Sequence, residues 1–128
     1  MTREEITEIF EIQKQNRWLV ANSGAQERIL RLKKLREVII RYEAELYLAF
    51  YKDFGKPATE AEITEVYPVL EEIKFTVKNL ENWMKPKRVP TPLALIGSRS
   101  QIRYEAKGQV LIMGPWNYPF NLVMTPLV

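Results

Sequence analysis

The sequence predicts an α/β fold: helices first, then an antiparallel strand pair, then a fully apolar strand that opens a further helix. Three observations carry this. Capping patterns followed by apolar residues at helical spacing fill residues 2–84, residues 100–106 alternate strictly, and the uncharged run Val110-Leu111-Ile112-Met113 precedes Gly114-Pro115-Trp116-Asn117-Tyr118-Pro119. Such a run reads as a strand buried on both faces, the kind found in parallel sheets. The Gly-Pro pair ends it, and Pro119 suits the first turn of a helix. In doubly wound folds that crossover, at the carboxyl end of a strand, is where ligands bind. Asn117, a polar side chain between two aromatics, is therefore the first candidate functional residue.

The elements follow in order. Thr2 with Glu5 makes a capping box, and Ile6, Ile9 and Phe10 continue it at helical spacing to about Val20. After the break Asn22-Ser23-Gly24, Ser23 and Gln26 suggest a second box. Ile29, Leu32, Leu35, Ile39, Tyr42, Leu46 and Phe50 then share one face of a single helix that Gly55 and Pro57 stop. Thr59 and Glu62 suggest a third box, for a helix with apolar residues at Ile63, Val66, Leu70, Ile73, Val77, Leu80 and Met84. Pro68 lies inside this pattern, so a kink is expected there. The spacing suits either a coiled coil or, the plainer reading, packing in a small helical bundle. Glu60, Glu62, Glu65, Glu71 and Glu72 read as its solvated face.

From Lys85 the composition changes. Three prolines between Pro86 and Pro92 read as a stiff extended linker, and Leu93 to Ile96 as a short strand broken by Gly97-Ser98. Ser100 to Ala106 alternates as a half-buried antiparallel strand. Lys107-Gly108 turns the chain into the apolar strand Gln109 to Met113, and Phe120 to Val128 begins a helix. The expected division is a helical segment over residues 1–84, a linker and antiparallel strands over 85–107, and the opening of a further domain over 108–128. A strand buried on both faces needs neighbours on both sides, so the fold is expected to be incomplete.

Composition excludes several chemistries. The 128 residues are 46% hydrophobic, enough for one core, with a net charge of +3 from 19 basic and 16 acidic residues. The one basic cluster, Lys85-Pro86-Lys87-Arg88, is too short for a nucleic-acid stripe and reads as linker, so no nucleic-acid partner is expected. With no cysteine and no histidine, the chain has no disulfide framework, thiolate metal site, cysteine nucleophile or histidine base. No metal site is expected. The charged N-terminus reads as the start of an amphipathic helix rather than a signal peptide's apolar core, no apolar run approaches a bilayer span, and a cytoplasmic setting is expected.

The segment Gly108-Gln109-Val110-Leu111-Ile112-Met113-Gly114-Pro115-Trp116-Asn117-Tyr118-Pro119-Phe120-Asn121-Leu122 closely resembles the one that opens the Rossmann-like cofactor domain of NAD(P)-dependent aldehyde dehydrogenases. Upstream, Ser23-Gly24, the helix ending Lys52-Asp53-Phe54-Gly55-Lys56, and Glu60 to Trp83 are similar too, so the resemblance covers nearly the whole chain and points to the class 3 branch. It implies that the chain is the N-terminal portion of an enzyme that oxidises aldehydes to carboxylic acids through a thiohemiacetal. It also implies that the Asn117 amide donates to the developing oxyanion. The backbone of Met113, Gly114, Pro115 and Trp116 would lie against the nicotinamide end of NAD or NADP, and Tyr118 would line the substrate tunnel. The segment matching Leu93 to Ala106 would take part in a homodimer hairpin. On the residues alone, Asn117 reads first as satisfying turn or helix-end groups, and Trp116 and Tyr118 could be core or contact. The cysteine nucleophile and glutamate base of the family are not among the matched residues, so these 128 residues alone are expected neither to oxidise aldehydes nor to bind NAD tightly. The competing reading is a helical interaction module without catalysis, docking a partner on the Ile63–Met84 stripe.

Overall fold

The computed structural model describes residues 2–128, and it is mostly helical with one small sheet. Helix α1 (Arg3–Ala21) starts on the capping box: Thr2 Oγ1 accepts the Glu5 N–H at 3.3 Å, and Glu5 Oε2 accepts the Thr2 N–H at 2.7 Å. None of its residues is buried, so Ile6, Ile9 and Phe10 stay exposed despite their helical spacing. It is tied to the remainder at its end, where the Arg28 guanidinium donates to the carbonyls of Val20 and Ala21.

The expected second box does not form. Gly24 is the N-cap of α2 (Ala25–Arg41), while the Ser23 hydroxyl donates to the Val20 carbonyl and accepts from Arg28 Nε. The single long helix expected next is two, α2 and α3 (Glu43–Phe54). Tyr42 between them has φ −100° and ψ 12°, although the ladder continues across it through Tyr42 to Val38 and Leu46 to Tyr42. Gly55 ends α3 as expected, with φ +66°, a left-handed conformation that a side chain would strain. That turn brings the Lys56 N–H back to the Phe50 carbonyl at 3.4 Å and aims the lysine inward.

The third helix departs most from the sequence reading. Pro57, not a Thr59 box, caps the short α4 (Ala58–Ala61), and a wider π-helical turn (Glu62–Val66) leads into α5 (Tyr67–Trp83). A π-turn spends one extra residue on a turn and so resets the helical register. Ala61, five residues before Val66, is therefore buried with it, Glu65 is turned inward, and Ile63 is 62% exposed. Pro68 sits in the first turn of α5, where its missing N–H costs least. The irregularity expected at Pro68 is instead the π-turn just before it. The reading of Glu65 as part of a solvated face is wrong for the same reason.

The core gathers Ile39 of α2, Val66, and Val69 and Ile73 of α5, with Leu32, Leu35, Leu46, Tyr47, Leu70 and Val77 packed against them. The final helix α6 (Asn121–Leu127) closes this core through Phe120, Met124 and Val128. Most of the stripe that a partner would need is consequently spent on packing against α2 and α6.

Two strands, β1 (Lys87–Val89) and β2 (Ser100–Ile102), pair antiparallel with Arg88 opposite Gln101. The expected linker therefore contains a strand, and the second strand is shorter than its alternation suggested. Leu93–Leu95 is a 3₁₀ turn rather than a strand; Leu93 and Ile96 face solvent and have no sheet to pack on. Gln109 to Met113 forms no ladder either, and Leu111 is 80% exposed. A strand exists by its neighbours' hydrogen bonds, and none lies beside this run among the described residues.

Two outcomes follow. Ile73→Ala should lower unfolding free energy by about 2–5 kcal/mol, while Ile63→Ala stays within about 0.5 kcal/mol, measured by urea titration. Similar losses would contradict the register set by the π-turn. Glu62 is pushed above its ordinary carboxyl pKa by burial and then by hydrogen bonding and repulsion from Glu43. Its folded state therefore favours the proton, and the penalty appears as pH rises through the folded pKa. Glu62→Gln should stabilise at neutral pH, with the gain vanishing as pH falls below 4.5, the ordinary value. A gain independent of pH would exclude this cause.

Candidate functional site

The site is the turn Trp116–Phe120 and what holds it. Lys56 and Glu65 meet beneath it, Nζ to Oε1 at 2.6 Å, with side chains only 9% and 0% exposed. Charges so far from water are costly unless every lone pair and proton is used. Here they are used. Glu65 Oε2 accepts the N–H groups of Phe120 at 3.2 Å and Asn121 at 3.0 Å, the otherwise unpaired donors where α6 begins. Lys56 Nζ also donates to the Asn117 carbonyl at 3.3 Å. It sits 4.7 Å from the centre of the Tyr118 ring and 5.7 Å from that of Phe50, within cation–π range of both.

Further contacts fix the start of α6. Pro68 has no N–H to offer the carbonyl of Thr64, four residues back, and that carbonyl accepts Asn121 Nδ2 at 2.9 Å. Asn121 Oδ1 in turn accepts the Thr125 hydroxyl at 2.8 Å. Phe120 meets Phe50 edge-on, ring centres 6.4 Å apart. A Cβ on Gly114 would run into the Cγ2 methyl of Val123, so this glycine is required where the loop passes close to α6. Among the described residues, no buried polar side-chain atom lacks a partner.

The sequence-selected residues are arranged as follows. Asn117 is exposed and its side chain makes no hydrogen bond among the described residues, so it does not serve the turn or the helix end. Glu65 and Asn121 fill those roles. Trp116 is largely exposed and touches Phe54, ring centres 6.5 Å apart, so it is not core. Tyr118 is partly covered by Lys56. Met113 is exposed, and the backbone of Met113, Gly114 and Trp116 makes no intramolecular hydrogen bond among the described residues. No cluster of metal-ligating side chains occurs among the described residues. Sequence reasoning missed Lys56 and Glu65. The available signal was Lys56 itself, a cation placed directly after a left-handed glycine and before a proline.

All of the chain, residues 1–128, matches the model of the aldehyde dehydrogenase family. The 4,4'-diaponeurosporen-aldehyde dehydrogenase of Staphylococcus aureus is 47% identical over 97 residues, which are 76% of this chain and 21% of that protein. Human aldehyde dehydrogenase family 3 member B1 is 39% identical over 104 residues, 81% of this chain and 22% of that protein. The substrate-bound structure of Staphylococcus aureus AldH superposes with a TM-score of 0.90 at 41% identity, covering 95% of this chain and 27% of that one. The chain thus spans roughly a quarter of the length of such relatives, of which several are family 3 members. With a family match along its entire length, a shared fold over 95% of it and family 3 relatives above 30% identity, the chain belongs to the aldehyde dehydrogenase family, on its class 3 side.

Proposed function

We propose that these residues supply the oxyanion-stabilising side of an NAD(P)-dependent aldehyde dehydrogenase active site, with the Asn117 side-chain amide as donor. The observation that carries this is an exposed, unpartnered amide on a turn anchored from below by a buried ion pair. Attack of a thiolate on an aldehyde carbonyl moves negative charge onto the oxygen, and a donor fixed in advance at that oxygen lowers the barrier without reorganising. Turn residues held by buried partners meet that requirement; a mobile amide would not. The thiolate comes from outside the 128 residues, which contain no cysteine.

The accessible backbone of Met113 to Trp116 suits the nicotinamide end of NAD or NADP. When bound, the cofactor supplies the hydride acceptor. Tyr118, braced by Lys56, would border the path of the substrate. The substrate class is an aldehyde, in keeping with the aldehyde in the name of the Staphylococcus aureus relative. Pairing of two copies through residues 85–107 is part of this reading, supported by the β1–β2 pair standing clear of the helical core. So is a cytoplasmic setting, supported by a cysteine-free composition that suits a reducing compartment. No helix is long and apolar enough to cross a membrane among the described residues.

The test is steady-state kinetics on the complete gene product that carries these residues. Asn117→Ala should lower kcat by about 10²–10³-fold, the usual loss on removing one oxyanion donor, with little change in aldehyde KM. The 128-residue chain alone should form no NADH or NADPH. Cofactor-dependent product from the isolated chain, or an unchanged kcat for Asn117→Ala, would overturn the reading.

A further inference from the structure

Lys56 and Glu65 are the one ion pair shut away from solvent among the described residues; Lys14–Glu11, Arg31–Glu27, Lys74–Glu71 and Lys85–Glu81 all lie at the surface. A buried pair is weak evidence for stability, because well-packed apolar residues of the same size often serve as well or better. What apolar residues cannot do is accept two particular N–H groups and donate to one particular carbonyl. The pair does all three, and every one of these bonds goes to the turn that carries Asn117: its own carbonyl, and the N–H groups of Phe120 and Asn121. Tyr118 is held as well, by the lysine charge over its ring. The Asn117 amide has no partner of its own among the described residues, so the fold controls it only through the backbone from which its Cα–Cβ bond leaves, and that backbone is held by Lys56 at the Asn117 carbonyl and by Glu65 three and four residues on.

We propose that Lys56 and Glu65 are positioning residues for Asn117, fixing where its amide points by clamping the turn on both sides of it. The proposal rests on the reading of Asn117 as the oxyanion donor. Neither charged group needs to reach the substrate. Glu65 holds the start of α6, Lys56 holds the carbonyl of Asn117, and their mutual ion pair links the two anchors to helices that the sheet does not contain.

The experiment uses the complete gene product with Lys56→Met, which keeps the side-chain length and loses the donor, and Glu65→Gln, which keeps the shape and loses the charge. Each is measured alone and combined with Asn117→Ala, well below the melting temperature found for each variant. A displaced amide should lower kcat by about 10–100-fold with aldehyde KM nearly constant, since misplacement by about 1 Å can cost on the order of 100-fold. Combined with Asn117→Ala, neither change should lower kcat further, because nothing remains to be positioned. Lys56→Arg keeps the charge and a donor; it should recover part of the kcat lost in Lys56→Met, and it takes that variant's place if Lys56→Met does not fold. Losses that multiply with that of Asn117→Ala, or no loss in kcat, would overturn the proposal. An Asn117→Ala variant of full activity would instead sink the oxyanion reading beneath it.

Discussion

A lysine and a glutamate nine positions apart meet in a space from which water is excluded, and the turn above them takes its shape from how their charges are satisfied. In such a setting an unused lone pair costs free energy of the order of a lost hydrogen bond or more. Glu65 avoids this by taking a lysine on one oxygen and two backbone N–H groups on the other. Lys56 avoids it through the carboxylate, a carbonyl and two aromatic faces. These partners are directional, so the pair contributes geometry more than stability. It joins residues 50–65 to residues 117–121, parts of the chain more than fifty positions apart.

Three local devices create that meeting point. The left-handed Gly55 turns the chain so that Lys56 enters the core at the end of α3. The π-turn Glu62–Val66 rotates Glu65 from the outside of the helix to the inside. Pro68 leaves the Thr64 carbonyl without an N–H from that position, and Asn121 takes it. Each is a departure from regular helix, and each serves the residues around Asn117. Irregularity concentrated at one place in an otherwise regular helical bundle is what a site requires, because regular packing alone does not aim side chains.

The parts of the fold that depend on local chemistry were legible. The Thr2–Glu5 box, the Gly55 stop and the apolar face of α2 all follow from residues within a few positions of one another. The turn at Asn117 was legible because Gly114, Pro115 and Pro119 punctuate it. Glu65 was not, since on an ideal helical wheel it falls among Glu62, Glu71 and Glu72, and one extra residue in a turn leaves no mark in the apolar spacing that follows. The strand at Gln109 to Met113 fails for the opposite reason. Its apolar pattern is correct for a buried strand, but a strand is a relation between segments, and no partner segment is present beside it. Leu93 to Ile96 was misread on apolarity alone, without the alternation that marks residues 100–102.

The contrast between the exposed run and the fixed turn after it bears on how the site is built. Val110, Leu111 and Met113 face solvent, yet four residues later the chain is held by hydrogen bonds, an aromatic contact and the closure of α6 over the core. The turn therefore does not need the sheet to acquire its shape. Its anchors are Phe50 on α3, Lys56 just after it, Glu65 on the π-turn and the first residues of α6. Had the strand been the anchor, the turn would rest on residues 109–113, which form no ladder. Because the anchor is helical, Asn117 is placed by one layer of the fold while the backbone beside it stays exposed. Positioning and access are thereby assigned to different residues, and neither compromises the other.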